Sequence, residues 1–164
     1  MPPDERGCRL SVQQPAILPE PIEADRVWFR FMRLHQRMLG QMTARLRQLG
    51  LSIPQFDLLS TLTEGEGISQ SELAQRLYVT KGNVSGLVDR LVEAGLVERR
   101  AIAGDKRSYA MHLTAEGRRL AEAGIAAQRD YVAATLGLMP SEDLAELDRL
   151  VRDWRASVRA LDAG

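Results

Sequence analysis

Apolar residues recur at three- and four-residue steps through Val27, Phe31, Leu34, Met38, Met42, Leu46 and Leu49. That spacing predicts one long amphipathic helix from about Ile22 to Gly50, with Gly40 as its weak point. Ser52, Pro54 and Gln55 then place an N-cap, an early-turn proline and a capping-box glutamine in order, which opens a second helix. Phe56, Leu59 and Leu62 face inward from it, and Gly65 and Gly67 end it. Ser69 and Glu72 repeat the capping pattern before a short helix carrying Leu73, Ala74 and Leu77. Thr80 caps the next helix, from about Lys81 to Ala94, whose buried face is Val84, Leu87, Val88, Leu91 and Val92, and Gly95 stops it in a left-handed turn.

The period then changes from helical to alternating. Leu96 to Ile102 and Ser108 to Leu113 read as two strands, because Tyr109, Met111 and Leu113 alternate with Ser108, Ala110 and His112, and residues 103–106 form the turn between them. Thr114 caps a helix with Leu120, Tyr131, Val132 and Leu136, and Pro140 with Ser141 starts a last one. There Leu144, Leu147, Val151, Trp154, Val158 and Leu161 make a heptad-like seam that needs a partner surface. A short helix pair followed at once by a hairpin is a winged helix-turn-helix. The predicted fold is mainly α with a small β-hairpin wing, the dimerisation role of its N- and C-terminal helices together being what the family resemblance given below implies. Residues 1–21 form a proline-rich arm, 22–50 the long first helix, 51–113 the winged helix-turn-helix lobe and 114–164 the terminal dimerisation helices.

Bulk composition adds exclusions. The chain has 164 residues, 45% hydrophobic and 5% aromatic, as suits one mainly helical domain with long accessory helices. Lys plus Arg equals Asp plus Glu at 22 each, so a polyanionic partner must be argued from local charge. Between Ser69 and Leu113 the basic residues Arg76, Lys81, Arg90, Arg99, Arg100, Lys106 and Arg107 outnumber the acids. A single cysteine, Cys8, and the lack of an apolar run behind basic residues predict a cytoplasmic protein without internal disulfides. No stretch approaches the roughly 20 apolar residues of a membrane span. His35 and His112 have no second ligand at metal spacing, so no metal or cofactor is expected, and no nucleophile–base spacing or glycine-rich phosphate loop suggests an enzyme.

Double-stranded DNA is the expected partner. The second helix of a helix-turn-helix enters the major groove by its N-terminal end, which nominates Lys81, Gly82, Asn83 and Ser85 as base or backbone readers. Asn83 could pair bidentately with adenine, and Gly82 would allow close approach. Ser69 and Thr80 cap helices, and the exposed amide ends they cap could also hold phosphate. Arg90 is placed either to contact phosphate or to pair with Asp89, Glu93 or the wing.

The segments Ser71–Thr80, Val84–Arg99, Gly104–Ser108 and His112–Gly117 together closely resemble the MarR (multiple antibiotic resistance regulator) family, in register from about Ile22 to Leu161. The pairing of an Asp-Arg-Leu helix and Gly-Leu-Val-Glu-Arg strand with an Asp-Lys-Arg wing is the most specific part. The resemblance implies an obligate homodimer with interlocked terminal helices, a palindromic operator, and a small phenolic or aromatic acid that releases DNA. It makes Arg107 the minor-groove residue by position, with Asp105 holding the loop or the arginine and Lys106 adding backbone contact. An apolar or aromatic effector is then expected near Phe31, His35, Met38, Phe56 and Leu59, although each taken singly also reads as core. Family cysteines that sense peroxide sit in the first helix, whereas Cys8 precedes it. A redox-responsive regulator acting through Cys8, and a winged-helix module that binds protein instead of DNA, are the competing expectations.

Overall fold

The computed structural model describes residues 23–102 and 105–162, without the side chains of residues 105–108 and 162. The proline-rich arm with Cys8, and the side chains of Asp105, Lys106 and Arg107, lie outside that description. The elements follow in the order α1 (Ala24–Gln48), α2 (Ile53–Glu64), β1 (Ile68–Ser69), α3 (Gln70–Arg76), α4 (Lys81–Glu93), β2 (Val97–Ile102), β3 (Asp105–Leu113) and α5 (Ala115–Ala133). A short 3-10 turn (Leu136–Leu138) leads to α6 (Ser141–Asp162). No helix of the described residues is long and apolar enough to cross a membrane.

The chain divides into two units, Met1–Gln36 and Arg37–Gly164. The described part of the first is helical, and Val27, Phe29 and Leu34 of the expected α1 face and its neighbours are exposed. The second holds the core. Leu46 at the end of α1, Leu58, Leu59 and Leu62 of α2, Leu73 of α3, and Val84, Val88 and Leu91 of α4 are fully closed from solvent. Met111 of β3 and Ala121 of α5 complete them.

Local chemistry sets the element ends. Gln55 Oε1 accepts hydrogen bonds from the backbone N–H and the hydroxyl of Ser52, both at 2.9 Å, and thereby closes the start of α2. Gly50 and Gly95 adopt φ of 73° and 69° and turn the chain out of α1 and α4, as glycine does without steric cost. Gly65, extended at φ −175°, and Gly67, at φ 81°, end α2 as expected and lead the chain into a short strand.

That strand is the main departure from the sequence reading. β1 pairs antiparallel with β3, Ile68 opposite Met111 and Ser69 opposite Ala110, so the wing is a three-stranded sheet in the order β1-β3-β2 and not a bare hairpin. A two-residue strand has no period to detect, and its pairing is fixed by β3. The second correction concerns the hairpin tip, because β3 begins at Asp105, inside the expected turn of residues 103–106. Ala101 pairs with Tyr109 but Ile102 with Asp105, so the register shifts across residues 106–108 of β3. Lys106 and Arg107 are therefore carried on the shifted stretch of the strand.

Candidate nucleic-acid interface

The exposed face of α4 lies between two grooves. On the wing side Lys81 and Ser85 join Ser69, Gln70, Ser71, Arg99 and Tyr109 around a space of about 490 Å³. On the α2 side Gly82, Asn83, Gly86 and Arg90 join Pro54, Asp57, Leu77, Val79, Val84 and Leu87 around about 460 Å³. The nominated readers thus come together, but on two shoulders of one helix. Helical spacing explains the split, since Lys81 and Ser85 are one turn apart on one side, while Gly82 and Gly86 are one turn apart beside Asn83 and Arg90.

Both helix starts are capped as expected. Ser69 Oγ accepts the N–H of Glu72 at 3.2 Å, and Thr80 Oγ1 accepts the N–H of Asn83 at 3.3 Å. Each hydroxyl fixes the direction of its helix and leaves other first-turn amides directed outward.

Ion pairing sorts the cations. Arg99 of β2 pairs with Asp89 of α4, Arg76 with Glu72 at 2.8 Å, and Arg100 with Glu98. Lys81 and Arg90 have no ion pair among the described residues, and Asp89 is taken by Arg99.

Arg99, Tyr109, Gln70 and Ser71 line the groove yet were not nominated. The strand period could have found two of them: Val97, Arg99 and Ala101 share a face with Leu113, Met111 and Tyr109, their ladder partners. The face is core at Val97 and Met111 and groove wall at Arg99 and Tyr109. On the opposite face His112 lies across from Glu98, its Nδ1 is 3.2 Å from Glu66 Oε2, and Arg118 of α5 pairs with Glu66. His112 is thus on the outer face as expected, with a carboxylate neighbour that its sequence distance concealed. Among the described residues no group of three potential metal ligands assembles.

The effector candidates separate by burial. Phe56 and Leu59 are core residues, 4% and 0% exposed, and Met38 is 38% exposed. Phe31 and His35 stack on one another with centroids 6.2 Å apart. Asp57, at the rim of the groove beside α4, reaches solvent, but burial of part of its carboxyl raises its pKa above the usual carboxylate value. The seam residues Leu144, Val151, Val158 and Leu161 are all exposed, and α6 contributes no buried residue to the core.

Three helices closed by a small antiparallel sheet, with a capped helix that carries Lys81 and Arg90, define a winged helix-turn-helix of the DNA-binding class. The MarR family model matches residues 49–108. A HTH-type transcriptional repressor of Mycobacterium bovis, Mb2911, is 33% identical over 111 residues, covering 68% of this chain and 80% of that protein. AbsC, a MarR family transcriptional regulator from Streptomyces coelicolor, superposes with a TM-score of 0.75 at 24% identity over 83% of this chain and 94% of its own. The S. aureus MepR–DNA complex does so with a TM-score of 0.72 at 21% identity over 80% and 97%. The chain belongs to the MarR family of transcriptional regulators.

Proposed function

We propose that the protein is a cytoplasmic homodimeric repressor that binds a palindromic operator through α4 and the wing and is released by a small apolar or aromatic acid. The observation that carries the DNA part is the exposed face of α4, where Lys81 and Arg90, on either side of Asn83, have no ion-pair partner among the described residues. In this reading Asn83 and Ser85 read base edges, and Gly82 admits the backbone closely. Lys81 and Arg90 contact phosphate, with Ser69 and Thr80 presenting helix ends. Arg107 enters the minor groove from the wing, Asp105 holds the loop or the arginine, and Lys106 adds a backbone contact.

The second copy covers the exposed seam of α6, with Leu147 and Trp154 in the same row. Leu144, Val151, Val158 and Leu161 are exposed apolar positions at heptad spacing, and such positions need a surface of this kind. Of the effector candidates, Phe31, His35 and Met38 are exposed, whereas Phe56 and Leu59 are core residues. A ligand releases DNA only by its differential affinity for the two spacings of the recognition helices, and tenfold release corresponds to about 1.4 kcal/mol.

The test is a fluorescence anisotropy titration against duplex DNA from upstream of the protein's own gene. Affinity should fall steeply with salt as counterions are released, and Asn83→Ala should cost about 1–3 kcal/mol at one operator position. A flat salt response favours the protein-interaction module instead.

A further inference from the structure

The turn joining α3 to α4 keeps a strained tyrosine. Tyr78 has φ 55°, whereas the other described residues with positive φ, Gly50, Gly67 and Gly95, are all glycine. A left-handed conformation drives Cβ toward the following carbonyl oxygen, a cost that glycine avoids. Burial does not offset that cost here, because Tyr78 is 80% exposed. What tyrosine has and glycine lacks is a hydroxyl held far from the backbone, and Tyr78 Oη accepts a hydrogen bond from Nη2 of Arg159 at 3.3 Å. Arg159 lies near the end of α6. On the same helix Arg149 bonds Glu146 and Asp153, and Arg152 bonds Asp148, whereas Arg159 reaches another element.

We infer that Tyr78 and Arg159 form a strut between the helix-turn-helix and the terminal helix, through which the position of α6 sets the position of α4. Two residues after Tyr78 comes Thr80, whose hydroxyl caps α4 at Asn83, so a displacement of the turn is handed directly to the first turn of the recognition helix. Backbone strain of this kind clusters at clamps and switch regions, where it is part of the mechanism. The pair positions the readers and touches no DNA. The inference rests on the proposal that α4 is the recognition helix of a dimer, because only then does the distance between two copies of α4 matter.

The experiment uses the full-length protein and a series of palindromic duplexes whose half-site spacing is lengthened one base pair at a time. Tyr78→Phe removes a single exposed oxygen and keeps the fold, and Arg159→Met keeps the stem. Each should weaken binding to the best duplex by about threefold to tenfold, the range of one hydrogen bond, with Tm unchanged. Each should also flatten the preference among spacings, and the double variant should lose no more than either single one, because they break the same contact. Tyr78→Gly should raise Tm by about 2–4 °C through relief of strain, yet bind DNA as weakly as Tyr78→Phe. A loss in Tyr78→Phe that is equal at every spacing, with Arg159→Met binding normally, means that the hydroxyl touches DNA itself and overturns the strut. Normal binding by Tyr78→Phe beside a weakened Asn83→Ala also overturns it, alone. No effect of Asn83→Ala overturns the reading of α4 and the strut with it.

Discussion

Replacing Gly117 by alanine should unfold the protein at a markedly lower temperature, because this residue is where α5 touches the root of the wing. A Cβ built at Gly117 would lie 1.9 Å from the carbonyl oxygen of Leu96 and 2.8 Å from its carbon. Carbon–oxygen contacts need about 3.3 Å, so helix and strand root must part by about 1.4 Å. The oxygen cannot simply swing away, since it accepts the N–H of Thr114 at 3.1 Å, while Thr114 Oγ1 donates to Gly95 O at 2.7 Å and accepts the N–H of Gly117 at 3.0 Å. Separation breaks the two bonds from Thr114 to the strand root, worth about 0.5–1.5 kcal/mol each, and overpacking adds about 1–3 kcal/mol. Better helix propensity returns about 0.5–1 kcal/mol. The middle of these ranges is a net loss of about 3 kcal/mol, or roughly 6–12 °C in Tm for a chain of this size.

The assay is thermal and urea unfolding at fixed protein concentration, since association would otherwise shift Tm. Gly82→Ala and Gly86→Ala are the comparators, because a Cβ at either meets nothing within 4 Å. Each should stabilise by about 0.5–1 kcal/mol. If Gly117→Ala falls within about 0.5 kcal/mol of the wild type, the docking of α5 on Leu96 is not as described.

Three further outcomes are expected. Arg107→Ala should reduce DNA affinity by about 1–3 kcal/mol at moderate salt with Tm unchanged, and unchanged affinity would remove it from the interface. Val151→Asp places a charge in the exposed seam of α6, so sedimentation should show the wild type as a dimer at micromolar concentration and the variant shifted toward monomer; a wild-type monomer refutes the seam. Asp57 has a raised pKa in the folded chain, so its contribution favours folding in acid and is lost as pH rises through that value. Asp57→Asn should therefore raise Tm at pH 7, with the gain shrinking toward pH 4, and a pH-independent difference would refute the assignment.

What the sequence disclosed follows from the range of the interactions involved. Ser52, Ser69, Thr80 and Thr114 each cap a helix through a partner three residues away, and Gly95 ends α4 by its own φ, so these boundaries could be read from short windows. β1 could not, because its two residues are ordered by Met111 and Ala110 more than forty positions later. The same distance hid the carboxylate beside His112 and the arginine beside Tyr78. Gly117 and Gly124 look like weak points of a helix from within the helix. Their requirement appears only when Leu96 O and the Phe56 ring, 2.6 Å from a built Cβ at Gly124, are set against them. The interface divides in the same way: the capped start of α4 is local and was named residue by residue, whereas Arg99 and Tyr109 become groove wall because the face they share with Val97 and Met111 continues past the edge of the core. A pattern of apolar positions tells which face is buried; where along that face burial stops is decided by the elements packed on it, here α3 and α4, whose placement depends on contacts remote in the chain.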